Sequence, residues 1–173
     1  MLRAFILVSL LFLTVFFQSV QAQNSGSQED ATGANVISEF GLSSGKILPN
    51  QIPGMTEIIG LGGFRFGYRV APRVFIEGGA STGNGEGVRY KNGFLSLRAD
   101  IPVETIVGTV FAGGDVIHYE GVGREVKTFG GGHVGGGVLA LLGGTVWFRS
   151  NMKFVVNPGT SMYIDFGLTF RFP

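Results

Sequence analysis

This 173-residue sequence lacks several features, and each absence excludes a class of protein. It contains no cysteine, which removes disulfide frameworks, thiolate metal sites and a lipid-modified N-terminal cysteine. Its 13 basic and 12 acidic residues nearly balance, so there is no basic excess of the kind that binds nucleic acid. Only two histidines are present, and no run of acidic ligands accompanies them. We therefore expect no metal, no cofactor and no nucleic-acid partner.

Long apolar runs are also missing, except at the N-terminus. Residues 5–17 are almost wholly apolar but too short for a typical membrane-spanning helix, and a small-residue motif that ends at Ala22 follows. We predict a signal peptide over residues 1–22 that is cleaved after Ala22, with an uncleaved anchor as the alternative. Residues 23–35 are rich in Ser, Gly and Gln and predict a flexible periplasmic leader. The remaining domain covers residues 36–173.

Helical periodicity is absent from this domain, where apolar residues alternate with polar residues or glycine. A period of two is typical of β-strands with one apolar face. It is clearest from Met162 to Phe172, where every even-numbered position is apolar. Short links follow strands two, four and six, and longer links follow strands one, three and five, as in an outer-membrane barrel. The eight predicted strands cover residues 36–44, 56–70, 73–82, 90–101, 106–119, 128–141, 145–155 and 162–172.

Glycine and proline set the predicted breaks between these strands. The content of Pro, Asn and Gly in residues 45–55 predicts a loop. The pair Gly62 and Gly63 suggests a bulge in the second strand. The pair Gly143 and Gly144 predicts a two-residue hairpin turn.

The alternation alone fits two kinds of barrel. A soluble barrel keeps its apolar face inside, whereas a membrane barrel turns it outward. The apolar face is rich in Phe and Leu, the other face carries glycine as often as charge, and no helix accompanies the strands; these features favour the membrane barrel. The predicted fold class is all-β: an eight-stranded antiparallel up-and-down transmembrane β-barrel after a cleaved signal peptide. Phe166, Leu168, Phe148 and Leu97 are then expected to face lipid.

The signal peptide, the eight amphipathic strands and the terminal aromatic strand resemble those of the small OmpA/OmpX-type outer-membrane β-barrels. The last strand looks like the C-terminal assembly signal of that family, with Tyr163, Phe166, Phe170 and Phe172 as its aromatic positions, and Pro173 follows here. The resemblance implies location in the outer membrane of a diderm bacterium, with both termini in the periplasm. It also implies recognition by the barrel-assembly machinery, contact with outer-membrane lipid, and a monomer.

The polar face predicts a charged lumen. A tight turn after the second strand would place Arg65 opposite Glu77 on the inward face. The turn between the last two strands would bring Arg149 within one diagonal step of Asp165. We predict Arg65–Glu77 and Arg149–Asp165 as structural ion pairs. Further lumen charges are predicted at Glu39, Arg98, Asp100 and Arg171.

Three functions remain open from the sequence. Eight strands leave an interior that side chains can fill, so the main hypothesis is a structural, adhesion/interaction or envelope-integrity role without enzymatic activity. A narrow pore or small-ligand transporter is the alternative, because glycine-rich strands five and six could leave space inside.

A lipid-modifying enzyme is the further alternative, and it would need a nucleophile and a base. Neither His118 nor His133 has a serine two residues away, so we interpret them as a loop residue and a lumen residue. The glycines of residues 130–137 are not interpreted as a phosphate-binding loop, because neither Lys-Ser/Thr nor a helix follows.

Overall fold

A computed structural model of the chain describes residues 36–50, 58–85, 87–103, 106–121, 126–156 and 159–173. These residues form a closed barrel in which each strand pairs antiparallel with its neighbours in the chain and the first strand pairs with the last. The predicted fold class and strand number are confirmed. The strands are β1 (Ser38–Asn50), β2 (Ile59–Ala71), β3 (Val74–Gly85), β4 (Val88–Val103), β5 (Ile106–Gly121), β6 (Lys127–Gly143), β7 (Val146–Val156) and β8 (Thr160–Phe172).

The predicted signal peptide and leader lie outside the described residues. Among those described, no helix is long and apolar enough to cross a membrane.

The two ends of the barrel carry different connections. The terminal end holds the start of β1, the end of β8 and three links of two residues each. The loop end holds the other four links, which span two to eight residues. The predicted longer link after the third strand is wrong, because β3 and β4 remain paired as far as Gly85 and Val88 and leave only two residues between them.

Strand pairing overrides the loop signals in several places. β1 continues to Asn50, through the segment predicted as a loop, because β8 supplies a paired backbone along its whole length. Gly62 and Gly63 are regularly paired on both sides, so the predicted bulge is wrong. The register of β2 with β3 shifts instead between Arg69 and Ala71, beside the turn.

The hairpin turn between β6 and β7 is displaced by one residue from its prediction. Gly143 pairs with Val146, which leaves Gly144 and Thr145 as the turn residues. Gly144 has a φ of 53°, a left-handed conformation in which glycine carries no steric cost. Glycine at this position therefore fixes where the chain reverses.

The two faces of the wall differ as the alternation requires. Leu168 is 42% exposed on the outer face, whereas its neighbour Thr169 is 1% exposed on the inner face. A continuous apolar outer surface is what hydrocarbon demands, and the closed sheet leaves no unpaired edge within it. The predicted lipid-facing residues all lie outward, with further large apolar side chains that include Phe64, Phe66, Tyr68, Ile76, Leu95, Val116 and Phe154.

Glycines on the inner face make room for large lumen side chains. A Cβ added at Gly67 would lie 2.7 Å from the Glu39 side chain, and one at Gly79 would lie 2.7 Å from the ring of Phe94. One added at Gly135 would lie 2.5 Å from the Phe111 ring. The high glycine content of the chain therefore accompanies a filled interior.

Candidate functional site: the charged lumen

The lumen holds polar side chains between two apolar clusters. The loop-end cluster closes one end and contains Ile47, Ile59, Leu61, Val88, Tyr90, Ile117, Tyr119, Val155 and Tyr163. The terminal-end cluster contains Val107, Leu139 and Trp147. Between them lie five cationic and five anionic side chains: Arg65, Arg98, Arg149, Lys153 and Arg171 with Glu39, Glu77, Asp100, Asp115 and Asp165.

Arg98 is the most completely paired of these charges. It is fully buried and donates hydrogen bonds to three carboxylates: 2.6 Å to Glu77, 2.9 Å to Glu39 Oε2 and 2.7 Å to Asp100. Its guanidinium also lies 4.5 Å from the ring centroid of Phe75. Taking an arginine out of water is costly unless its donors are satisfied, and the β4 residue Arg98 meets that condition.

Glu77 and Glu39 join Arg98 to a second arginine. Arg149 donates from both terminal nitrogens to Glu77, with Nη2 at 3.0 Å from Oε2, and its Nη1 lies 3.4 Å from Glu39. Its Nε donates to Asn151 at 2.9 Å. Two arginines therefore share two carboxylates across the barrel. We call Glu39, Glu77, Arg98 and Arg149, with Asp100 and Arg171, the central network.

Arg171 connects the central network to the terminal-end cluster. Its Nη2 donates to Asp100, and its Nε lies 3.3 Å from Glu39. The guanidinium lies 5.2 Å from the Trp147 ring and 5.4 Å from the Phe75 ring. Among the residues that the structure describes, neither its Nη1 nor its Nε has a hydrogen-bond partner, and the two aromatic rings lie beside the guanidinium.

The structure exchanges the partners of the two predicted ion pairs. Arg65 donates to Asp165 at 2.6 Å, and Arg149 pairs with Glu77. The register explains the first difference, because Gly79 lies opposite Arg65 and Glu77 lies opposite Gly67, two residues from the predicted alignment. The predicted diagonal relation of Arg149 to Asp165 is present in the register, but Asn151 lies directly opposite Asp165 and donates to it at 2.8 Å.

The other predicted lumen charges, Glu39, Arg98, Asp100 and Arg171, are all buried and belong to the central network.

The two histidines lie on opposite faces of the wall. His118 lies in β5 rather than in a loop, and its Nδ1 is 2.9 Å from Thr128 Oγ1 on the outer face.

A second polar group lies in the loop-end half of the lumen. His133 Nε2 is 2.8 Å from Ser96 Oγ, and His133 Nδ1 contacts Asp115 Oδ2. The other oxygen of Asp115 accepts from Lys153 at 2.7 Å and from Asn92 at 2.8 Å. All three members of this serine–histidine–aspartate group are at least 95% buried.

A cavity of about 50 Å³ lies between the two polar groups. Ser96, Phe94 and Phe111 line it together with Arg65, Arg149 and Lys153. This volume holds about three to five waters, since one water needs roughly 10–15 Å³. The alternative in which glycine-rich β5 and β6 leave space inside is not favoured, because the side chains of Phe111, His133, Ile117 and Leu139 are buried in the lumen beside these strands.

Solved structures of low sequence identity share this architecture. The chain is similar to the N-terminal β-barrel domain of Pseudomonas aeruginosa OprF, with a TM-score of 0.65 and 12% identity over 79% of this chain and 98% of that one. Neisserial surface protein A gives 0.64 and 11%, covering 78% and 96%. The outer membrane protein OprG from P. aeruginosa gives 0.54 and 9%, covering 83% and 99%.

The chain has the fold of the small outer-membrane β-barrels. The predicted localisation agrees with these neighbours. The sequence matches no protein-family model and no curated protein, so the fold is what the comparisons establish.

The sequence prediction missed several residues of this barrel's lumen. Ser96 shares the inward parity of Arg98 on β4, and Asp115 shares the parity of the buried Thr109 on β5, so the alternation is consistent with their inward positions. The alternation does not show which inward residues contact each other when their two strands are separated by a third strand. Ser96 lies opposite Gly113, and Gly113 lies opposite His133. Both registers were needed to bring the serine and the histidine together.

Proposed function

We propose that the protein is an integral outer-membrane barrel with a structural, envelope-integrity role and a lumen closed to solutes. One observation carries this proposal: the lumen is blocked at three levels, by the loop-end cluster, the central network and the terminal-end cluster. A solute would have to separate buried arginine–carboxylate pairs, which would leave charges in the lumen without their partners. That barrier disfavours the narrow-pore alternative.

The outer surfaces support the same role. The apolar belt provides the contact with outer-membrane lipid. The four links at the loop end span at most eight residues, which leaves a small area for adhesion to a partner. A structural role needs neither long loops nor an open lumen.

The aromatic residues of β8 support the proposed recognition by barrel-assembly machinery. Phe166 and Phe172 are half exposed on the outer face, where a docking partner can reach them before the barrel closes. Tyr163 differs, because it points inward and its hydroxyl bonds to that of Tyr90 in the loop-end cluster. We therefore assign the signal to the outward aromatics and give Tyr163 a packing role.

The closed lumen is tested by conductance of the purified, folded protein in planar lipid bilayers. The wild-type barrel should give no steady current. Arg98→Ser combined with Tyr90→Ala and Trp147→Ala, one change at each of the three levels, should open the lumen and produce current. Arg98→Ser alone should not, and neither should Leu97→Ser on the outer face of the same strand. Folding of each variant is verified by the different gel mobility of boiled and unboiled samples. Steady wild-type conductance would refute the closed lumen and establish the pore.

A further inference from the structure

We propose that Ser96, His133 and Asp115 form a nucleophilic triad in the lumen that reacts with small acyl esters. The proposal rests on the relative positions of the three side chains, which come from β4, β6 and β5. It does not depend on the structural role proposed above: the lumen is closed to the passage of solutes from one end to the other, and the reaction requires only that a small ester enter the cavity beside Ser96.

The backbone brings the serine and histidine together by leaving space over β5. Gly113 lies between Ser96 and His133 in the same row of paired residues. A Cβ at this position would lie 2.0 Å from the Leu95 carbonyl oxygen, 2.7 Å from Ser96 Cα and 2.9 Å from His133 Cε1, so any side chain here would clash with the β4 backbone and with the imidazole. Glycine lets the ring lie across β5 and reach Ser96 Oγ at 2.8 Å.

The hydrogen bonds define the roles of the two ring nitrogens. Asp115 is an acceptor as a carboxylate, so His133 Nδ1 carries the proton and donates to it. In the neutral imidazole, His133 Nε2 is then unprotonated and accepts from the Ser96 hydroxyl. A serine that donates to a histidine oriented by a carboxylate is the arrangement that activates a hydroxyl for attack.

Neighbouring side chains hold this arrangement in place. Lys153 and Asn92 both donate to the Asp115 oxygen that does not contact the histidine. Phe94 and Phe111 pack edge-on against the imidazole, with ring centroids 6.3 and 6.1 Å away. The carboxylate and the ring are thus fixed from several sides.

The cavity beside Ser96 limits the size of the substrate. At about 50 Å³ it admits a short acyl group and excludes a lipid chain. Backbone N–H groups are committed to the barrel ladder, so the charge on a tetrahedral intermediate must be stabilised by side chains. Arg65, Arg149 and Lys153 line this cavity, and although each is paired with a carboxylate they supply its positive charge.

The reaction proceeds in two balanced steps. Ser96 Oγ bonds to the ester carbonyl carbon as its proton passes to His133 Nε2; the alcohol then leaves with that proton, and an acyl-serine remains. Water attacks the acyl-serine in the same way, which releases the acid and restores the serine. No oxidant, metal or further reactant is needed.

Other serines in the same cavity provide internal controls. Ser43 and Ser81 line the cavity with Ser96, and neither is hydrogen-bonded to a histidine in the described part of the chain, where His118 faces outward. A reagent that reaches the cavity meets all three hydroxyls. Preferential reaction at Ser96 would therefore report activation rather than access.

The test uses methanesulfonyl fluoride on the folded barrel in detergent micelles. Attack by Ser96 Oγ forms an O–S bond, breaks the S–F bond and releases fluoride, with the serine proton taken by His133. Peptide mass spectrometry should find one methanesulfonyl group on Ser96 and none on Ser43 or Ser81. His133→Gln should slow the modification at least about 100-fold, the contribution of a general base.

Three outcomes would overturn the proposal. Folded wild-type protein that remains unmodified would show that even a very small electrophile fails to react there. Equal modification of the three serines would show that Ser96 is not activated. If the rate of Ser96 modification is unchanged in His133→Gln, with folding verified by gel mobility, the three residues only stabilise the lumen. Denatured protein should lose the preference for Ser96.

Discussion

Glu77 accepts hydrogen bonds from two buried arginines, so replacing it with glutamine measures how far the lumen depends on charge pairing. The substitution preserves size and removes one negative charge from the balanced set of ten. Arg98 would keep Glu39 and Asp100 as partners. Arg149 would keep only Asn151 and a 3.4 Å contact with Glu39. The larger loss therefore falls on Arg149.

The expected cost follows from this remaining set of contacts. Breaking a buried ion pair by removing one partner costs about 3–5 kcal/mol, because the other charge stays buried and uncompensated. The glutamine amide also directs N–H groups at arginine donors. We expect Glu77→Gln to lower the free energy of unfolding by an amount within this range.

The assay is urea unfolding of the barrel in lipid vesicles, with the fraction of faster-migrating folded band on unboiled gels as the signal. Glu120→Gln is the matched control, since Glu120 is half exposed and 3.8 Å from Arg89. Exposed pairs of this kind contribute at most about 1 kcal/mol. Equal effects of the two substitutions would refute the reasoning that burial makes the lumen pairs matter.

A second substitution separates pairing from packing. Arg149→Met removes the cation that Glu77→Gln leaves without its carboxylate, so the double variant should recover much of the lost stability. If the double variant is as unstable as the sum of the single variants, the two residues act independently.

Two further predictions concern the wall. Leu168→Arg places a charge on the outer face and should lower the free energy of unfolding by about 2–4 kcal/mol near mid-bilayer. Thr169→Ser on the inner face should lower it by about 1 kcal/mol or less. Similar values for the two substitutions in vesicle unfolding would mean that the faces are reversed. Gly167→Ala would put a Cβ 1.9 Å from the Leu42 carbonyl oxygen and should cost about 1–3 kcal/mol, whereas Gly62→Ala points into open space and should be neutral in the same assay.

The strands could be predicted because their signal is local. Each strand carries its own alternation, and a barrel whose outer face is apolar repeats that signal eight times. The ends of strands were predicted less well, since pairing decides them. Pro49 looks like a loop residue in the sequence but lies opposite Ser161, where β8 offers a partner to the end of β1. Only knowledge of the neighbouring strand shows that the pairing continues.

The inward position of the charges could also be predicted, whereas their partners could not. The turn between β2 and β3 consists of Pro72 and Arg73 and so lies further along the chain than the predicted alignment requires. The one-residue shift between Arg69 and Ala71 corrects only part of this displacement, so Arg65 lies opposite Gly79 instead of Glu77. Ion pairs in a narrow barrel also cross the lumen. Arg98 on β4 donates to Glu39 on β1, although these two strands are not paired with each other.

The Ser96–His133–Asp115 group shows why a search for sequence motifs could not find such a site. A motif search looks for a serine near a histidine in the chain, and here they are separated by 37 residues on strands that are not adjacent. Their contact needs the registers on both sides of β5 and the missing side chain at Gly113. The glycine is therefore as informative as the polar residues: in a closed barrel, an inward glycine marks where a side chain from one strand can cross another.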